Sequence, residues 1–339
     1  MNSNSHSGME SKLPFEKIKR EILTKKEVET SSEYGKNPEE RTVEELIQYS
    51  IVNIDKFKGP TSHQVSDYVQ KILNINKSGH GGTLDPNVSG VLPVALGRAT
   101  RIVQFLLTAG KEYIGIMHLH KEVKPKEIEM AFKEFIGKIQ QKVPLRSAVK
   151  KQVREREIYY SEIIEIDGKD VLFRIGTQAG TYIRMWCHDL GKYLKVGAHM
   201  SELRRTKAGP FDESSLVTLQ DLQDYYVYYK EDNDEERLRK VLQPVETGVS
   251  HLAKVWIIDS AVDPVCHGTS IAIPGISKFN SEIKEDELVA VMTLKNELVA
   301  IGIAKMGSEQ TGKEQKGIAV KTKAVFMQPG VYPRYRKIL

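Results

Sequence analysis

Cysteine is nearly absent from this chain of 339 residues: Cys187 and Cys266 are its only two, far apart and in no metal-ligand spacing. A disulfide framework and a zinc-ribbon type of site are therefore excluded, and two free thiols in a reduced compartment are expected. Long apolar runs are missing as well. No stretch reaches the roughly 18 continuous apolar residues of a membrane span, and residues 1–8 lack the charged-then-apolar order of a secretion signal. The expectation is a cytoplasmic chain with no membrane contact. There is no internal repeat and no low-complexity block, and the glycine-rich stretch 79–82 lacks the Gly-Lys-Ser/Thr ending of a P-loop. Nor does charge of one sign dominate, since 50 basic and 45 acidic residues leave a net charge of +5. Such mild basicity permits nucleic-acid binding without requiring it.

What remains is an ordinary globular composition, 40% hydrophobic and 28% charged, long enough for one large domain and one small one. Residues 1–48 are polar and read as a loosely ordered arm. It ends in a short helix near Val43, where Thr42 and Glu45 have capping-box spacing. Ile51 to Ile54 opens a strand that stops at Lys58-Gly59-Pro60. Thr61 or Ser62 then caps a helix with Val65, Tyr68/Val69 and Ile72/Leu73 on one face. Gly97 to Leu107 reads as helix and Lys111 to Leu119 as strand. A helix from Pro125 is expected to carry Ile128, Phe132, Phe135/Ile136 and Ile139. Asp167-Gly168-Lys169 joins two β-rich runs as a hairpin, and residues 181–194 return to helical spacing.

Strands and helices alternate without regular βαβ repeats, which predicts an α/β (α+β) chain with a mixed, largely antiparallel sheet. The acidic stretch from Asp224 to Glu236 reads as a boundary. From His251 the texture changes to closely spaced short β runs, including a tight connection at Lys295-Asn296-Glu297, which predicts a small β-barrel. The expected division is an arm at 1–48, a main domain at 49–247 and the barrel at 251–331.

One stretch stands out: Gly81-Gly82-Thr83-Leu84-Asp85-Pro86, running on through Ser89-Gly90-Val91-Leu92-Pro93-Val94 to Gly97 and Arg101. Glycine lets the backbone turn and approach a ligand closely, and Pro86 stiffens the exit. A stiff loop offering one acid beside apolar residues suits a nucleophile or a general acid/base. Taken alone, Asp85-Pro86 is a turn initiator. A second cluster, Gly180-Thr181-Tyr182-Ile183-Arg184, lies at a strand-to-helix transition.

Together the two resemble the signatures of the TruB/dyskerin family of RNA pseudouridine synthases. The Gly-Thr-Leu-Asp-Pro and Val-Ser-Gly spellings are similar to its archaeal and eukaryotic dyskerin branch, and long lysine-rich tails are lacking, which points to an archaeal form. The matched motifs run densely from Asp55 to about Pro210. Val265-Cys266-His267-Gly268, with Gly317 to Val320 and Val325 to Gly330, resembles the RNA-binding PUA domain. The pattern departs at Phe57, where a proline usually follows the lysine that is Lys56 here.

The resemblance implies the pseudouridine synthase fold and the isomerisation of uridine to pseudouridine in RNA. That reaction breaks the N1–C1′ bond, turns the base and rejoins it through C5, with no redox step, metal or cofactor. Asp85 would be the nucleophile, although attack at C1′ and deprotonation at C2′ (a glycal route) both use one Asp. Glycosidases need two carboxylates; here the base is retained, so one suffices. Arg184 would pair with Asp85, its guanidinium fitting a carboxylate better than lysine. Tyr182 would lie on the uracil face as the route for the C5 proton. Tyr113 would stack on the base, Leu203 would floor the pocket, and His80 would help displace the base from its stack, a step that costs a few kcal/mol.

Arg204 and Arg205 are expected at RNA phosphates. So are Lys150 and Lys151, in a basic run that begins at Lys138 and ends at Arg156. Implied partners are tRNA and/or rRNA substrate, a box H/ACA guide RNA, and three small proteins: zinc-ribbon-like, Gar-type and kink-turn-binding. The chain would serve them as a monomeric catalytic subunit, or modify the T-loop uridine of tRNA unguided. Two alternatives stand beside this. A stand-alone TruB-type tRNA enzyme would carry an insertion after the Tyr113 strand, where only a short connection separates that strand from the next helix. An RNA-binding scaffold would have lost Asp85, Tyr113, Tyr182 or Arg184.

Overall fold

The computed structural model describes residues 11–142 and 152–334. In chain order the larger half runs β1 (Ile22–Thr24), α1 (Val43–Gln48), β2 (Ser50–Lys56), α2 (Ser62–Ile72), β3 (Ser78–His80), β4 (Ser89–Leu96), α3 (Val103–Thr108) and β5 (Lys111–Leu119). Next come α4 (Pro125–Glu134), β6 (Gly137–Lys142), β7 (Val153–Asp167), β8 (Asp170–Thr177), α5 (Ile183–Tyr193), β9 (Ala198–Ala208), β10 (Phe211–Asp212), α6 (Leu219–Glu231), α7 (Glu236–Val241) and β11 (Gln243–Pro244). The smaller half holds β12 (Ala253–Ile257), α8 (Asp259–Cys266), β13 (Ile271–Ala272), β14 (Ile276–Asn280), β15 (Leu288–Thr293), β16 (Leu298–Ala304), α9 (Ser308–Lys313) and β17 (Ile318–Val325).

The main sheet has the order β11-β2-β4-β9-β5-β8-β7-β6, with β3 on β4 and β10 on β9. Its ladders are antiparallel except where β4 meets β9, through Ser89↔Arg204 and Gly90↔Arg205. Gly90 has φ +102°, and a Cβ there would stand 2.2 Å from the Arg205 carbonyl oxygen. The two halves of the sheet thus meet at a point that only glycine allows. Helices α4 and α5 bury Ile128, Phe132, Trp186 and Leu190 against Met117, Phe173 and Ile175 of one half. Helices α1, α2, α6 and α7 cover the other half with Leu46, Val65, Leu222 and Leu238.

Both predicted capping signals are present. The Thr42 hydroxyl accepts from Glu45 N and the Thr61 hydroxyl from Gln64 N, each answered by the third residue's side chain. In the second sheet, order β1-β14-β12-β15-β16-β17-β13, the first strand comes from the arm. An apolar cluster joins the two sheets, with Phe105 and Leu106 of α3 packed among Trp256, Met292, Leu298 and Phe326. Among the described residues no helix is long and apolar enough to cross a membrane.

Four expectations differ from the structure. The helix from Pro125 stops at Glu134: Gly137 turns the chain at φ +86°, and Ile139 lies in β6. Apolar spacing carried the helical reading past a glycine that ends it. The stretch from Asp224 to Glu236 is no boundary: it continues α6 to Glu231, Leu222, Tyr229 and Leu238 share one core, and Asp232, Asp234 and Glu235 form the turn between α6 and α7. The apolar half of the Asp85 stretch, 89–94, is strand rather than loop.

Nor is the arm loose where it is described. Leu13 is wholly buried, β1 pairs with β14, Glu16 bonds Lys207 at 2.7 Å, and Arg41 grips Glu246 through two hydrogen bonds of 2.7 and 2.8 Å. Polar composition hid it, since the arm is anchored by polar contacts that no apolar period announces.

Candidate active site

Between β3 and β4 the chain forms the loop that carries Asp85, and three buried side chains hold it from below. Ser62, in the first turn of α2, accepts from Leu84 N at 2.7 Å and donates to Leu84 O at 3.2 Å, which pins the residue before Asp85. Lys56, at the end of β2, is fully buried. Its Nζ donates to Phe57 O (3.0 Å), Pro86 O (3.1 Å) and Val88 O (2.8 Å), three donors matched to three carbonyls across the loop's exit. Arg205 donates from Nε to Val91 O at 2.8 Å and from a terminal nitrogen to Gly82 O at 3.1 Å, gripping the loop's entry and the strand that follows. The turn closes on itself, with Val88 N donating to Asp85 O at 3.0 Å.

A third buried base, Lys111, opens β5 and donates to the carbonyls of Leu106, Leu107 and Ala109 at 2.7 to 3.0 Å. Burial, with a contribution from Arg205, pushes its amine down to about 7. Burial also lowers Lys56, with Arg205 adding and Asp85 opposing. It lowers Arg205 too, where the Tyr113 hydroxyl opposes. Carbonyl dipoles thus take the place of counter-ions for three cations beneath the site.

The partner element is the N-terminus of α5. Gln141 of β6 brackets Tyr182, accepting from its N at 3.0 Å and donating to its O at 3.2 Å. Gly180, at φ +78°, turns the chain into the helix. Arg184, in the first turn, donates to the Asp85 carboxylate. Leu84 and Val88 beside Asp85, Ile183 beside Arg184, and Leu203 from β9 share one buried cluster, and Tyr113 packs against it. The fold therefore brings Asp85, Arg184, Tyr182, Tyr113 and Leu203 to one place, from segments spread over more than a hundred residues.

The Asp85 and Arg184 side chains are each 54% exposed, so this is an open pair. An open carboxylate beside a fixed guanidinium is ready to meet a ligand that supplies the missing cover. His80 ends β3, paired with Val94, and is half-buried with Nδ1 lacking a partner among the described residues. Burial first, then Arg205 and His63, hold the ring below its ordinary 6.5, which favours neutral imidazole.

Two expected phosphate contacts are corrected. Arg205 is 1% exposed and spends its donors on the loop carbonyls, so it does not reach RNA. Arg204 faces out, but Asp55 (2.9 and 3.1 Å) and Glu213 (2.6 Å) already neutralise it. Lys150 and Lys151 lie outside the described residues. Sequence reading also missed Ser62, Lys111 and Gln141 and gave Lys56 no role. Charged residues inside strands are ordinarily solvated, and only the three-dimensional loop reveals the carbonyls they bind. Among the described residues no group of three metal-ligating side chains gathers.

The site thus lies on a split mixed sheet with the second sheet packed against it, and its charged pair is open to solvent. Models of known families match along the chain: the TruB family pseudouridylate synthase N-terminal domain at residues 70–127, and the tRNA pseudouridylate synthase B C-terminal domain at 184–250. The PUA domain matches at 253–326 and the DKCLD (NUC011) domain at 10–66. The chain is 58% identical to a probable tRNA pseudouridine synthase B of Thermococcus onnurineus, over 94% of this chain and 96% of the relative. It is 54% identical to the protein of the same description from Methanopyrus kandleri, over 95% of each.

Among solved structures it is similar to a chain of a Cbf5-Nop10-Gar1 complex, with a TM-score of 0.90 at 56% identity, over 96% of this chain and 99% of that one. A chain of an H/ACA RNP bound to a substrate RNA containing 2′-deoxyuridine matches with a TM-score of 0.89 at 53% identity, over 95% and 99%. The chain belongs to the TruB family of pseudouridylate synthases, in its Cbf5-like form with a PUA domain. Its activity is that of a pseudouridine synthase.

Proposed function

We propose that this chain converts uridine to pseudouridine in tRNA, and in rRNA as the catalytic subunit of a box H/ACA guide particle, with Asp85 as its catalytic residue. The single observation that carries the residue assignment is the open Asp85–Arg184 pair at the meeting of two sheet halves, braced from below by Lys56, Ser62 and Arg205. A flipped uridine entering there would cover the carboxylate, and lower local dielectric would strengthen the Arg184 contact as substrate binds.

The Asp85 carboxylate opens the N1–C1′ bond by attack at C1′ or by taking the C2′ proton, and both routes need it ionised and fixed. The bonding pair leaves with N1, so uracil departs as an anion. Tyr113 and Leu203 hold the ring as it turns. C5 then bonds to C1′, displacing the Asp85 carboxylate on the first route, or as Asp85 returns the proton to C2′ on the second. The C5 proton leaves along Tyr182 to solvent, and N1 takes up a proton in exchange. His80, neutral and half-buried, fills space vacated by the flipped base.

The assembly belongs to the same proposal. The similar structures carry Nop10, Gar1 and RNA in their descriptions, and a chain matching them over nearly its whole length is proposed to bind equivalent small proteins as a cytoplasmic, monomeric subunit. The test is release of tritium from C5-labelled uridine in a tRNA transcript and in an rRNA fragment, by the chain alone and with guide RNA and small proteins added. Release from tRNA alone and from rRNA only in the assembled particle is expected. Full rRNA modification without guide would overturn the particle assignment.

A further inference from the structure

A crevice of about 400 Å3 opens where the arm, the β9–β10 turn, the 250–252 linker and the barrel meet, and none of its lining residues belongs to the Asp85 site. Its donors come from separate segments: Arg20 from the arm, His251 from the linker and Lys254 from β12, while the Asn280 amide beside them already donates to Glu21 O at 3.4 Å. Arg20 gives one terminal nitrogen to Glu287 at 2.7 Å, but its Nε is shielded from solvent with no partner among the described residues. The Nδ1 of His251 is in the same condition, with its ring held edge-on to Phe15 at 5.7 Å between centroids. The Lys254 ammonium donates to no acceptor among the described residues; burial disfavours its charge and Glu246 opposes that.

Buried donors are ordinarily satisfied, and two orphaned nitrogens in one wall mark a site that is incomplete by itself. Two cations face the crevice: Arg20 has Glu287 in contact, and Lys254 has only the field of Glu246, which Arg41 already holds, so what the crevice lacks is a negative charge of its own. We propose that this crevice binds the phosphate group of a nucleotide. Donors approaching from several segments suit a tetrahedral oxyanion, whose oxygens point in different directions, better than a planar carboxylate met by a single fork. The space exceeds what phosphate alone fills, and the Phe15 and Trp256 walls suit a sugar or base attached to it. The phosphate has two possible sources, a free nucleotide or the backbone of an RNA strand.

Calorimetric titration of the full chain distinguishes them, with adenosine 5′-monophosphate, adenosine, and a uridine hexamer bearing hydroxyl ends as probes. The variants are Lys254→Met, which leaves the arm's own contacts in place, and Arg20→Gln, each checked for folding by its thermal transition. Adenosine 5′-monophosphate binding that adenosine does not show, weakened about tenfold or more in Lys254→Met, supports the site with a free nucleotide. Hexamer binding weakened in the same way supports it with an RNA backbone. Equal binding of adenosine and its monophosphate, or binding by every probe that Lys254→Met leaves unchanged, overturns the inference. Turnover at saturating RNA is expected to stay at the wild-type rate in Lys254→Met, so failure here leaves the synthase assignment standing.

Discussion

Asp85 and Arg184 are both half-exposed, and that decides how their substitution will show. Exposed ion pairs contribute about 0–1 kcal/mol, so Arg184→Leu should leave the thermal transition nearly unmoved. Its single-turnover rate should still fall by about a hundredfold or more, as expected when a fixed charge beside a reacting group is removed. A variant that unfolds early, or that turns over normally, would remove Arg184 from its assigned place. His251 makes a pH prediction. Burial first, then Lys111 and Arg20, push its imidazole down to about 4 from an ordinary 6.5. Between those values the unfolded chain binds a proton that the folded chain refuses, so stability is lost as pH falls from 6.5 toward 4, by about 3 kcal/mol in all. Denaturant midpoints measured across that window should show the slope in wild type, and a flatter line in His251→Asn.

Elements do their part through the loop they hold. Gly90→Ala would drive a Cβ into the Arg205 carbonyl oxygen at a positive φ, and should cost more than about 3 kcal/mol by denaturant titration. A small effect would mean that the β4–β9 junction is not as tight as described. Lys56→Met would orphan three carbonyls and should destabilise by about 3 kcal/mol, with turnover falling as the Asp85 loop loosens.

Much at this scale was legible in sequence. The Gly-Thr-Leu-Asp-Pro stretch, the Tyr182–Arg184 cluster, the hairpin at Gly168 and the caps at Thr42 and Thr61 rest on local chemistry, which spacing records. Lys56, Arg205 and Lys111 were illegible because a strand's sequence shows alternation but not which charge will find carbonyls from a distant loop. The same limit placed Arg205 on RNA when it stands beneath the floor. Gly137 and the α6–α7 turn misled for a different reason: apolar spacing continued past a glycine in the first, and solvated acids imitated a linker in the second.

Across the whole molecule, the barrel and the main sheet share an apolar cluster, and the arm ties them again through β1 and the Arg41–Glu246 pair. The two halves are therefore expected to unfold as one. Trp186 reports on the main sheet's helical cover and Trp256 on the barrel, so fluorescence of Trp256→Phe and Trp186→Phe variants follows each half separately. Coincident midpoints are expected, shifted together by Phe326→Ala, which empties part of the shared cluster at a cost of about 3 kcal/mol. Two separate transitions would show that the barrel is an independent appendage. A shared core also means that cutting the chain at 250 would expose Phe105 and Leu106, so RNA binding by the barrel is better probed by point substitution.

One carboxylate, Asp85, is proposed to perform the isomerisation. The direct measurement is tritium release from C5-labelled uridine in a tRNA transcript under single-turnover conditions, for wild type and Asp85→Asn, with RNA binding measured on the same samples. Release by wild type, none by Asp85→Asn, and comparable RNA affinity for both are expected. Release by Asp85→Asn at a rate near wild type would contradict it.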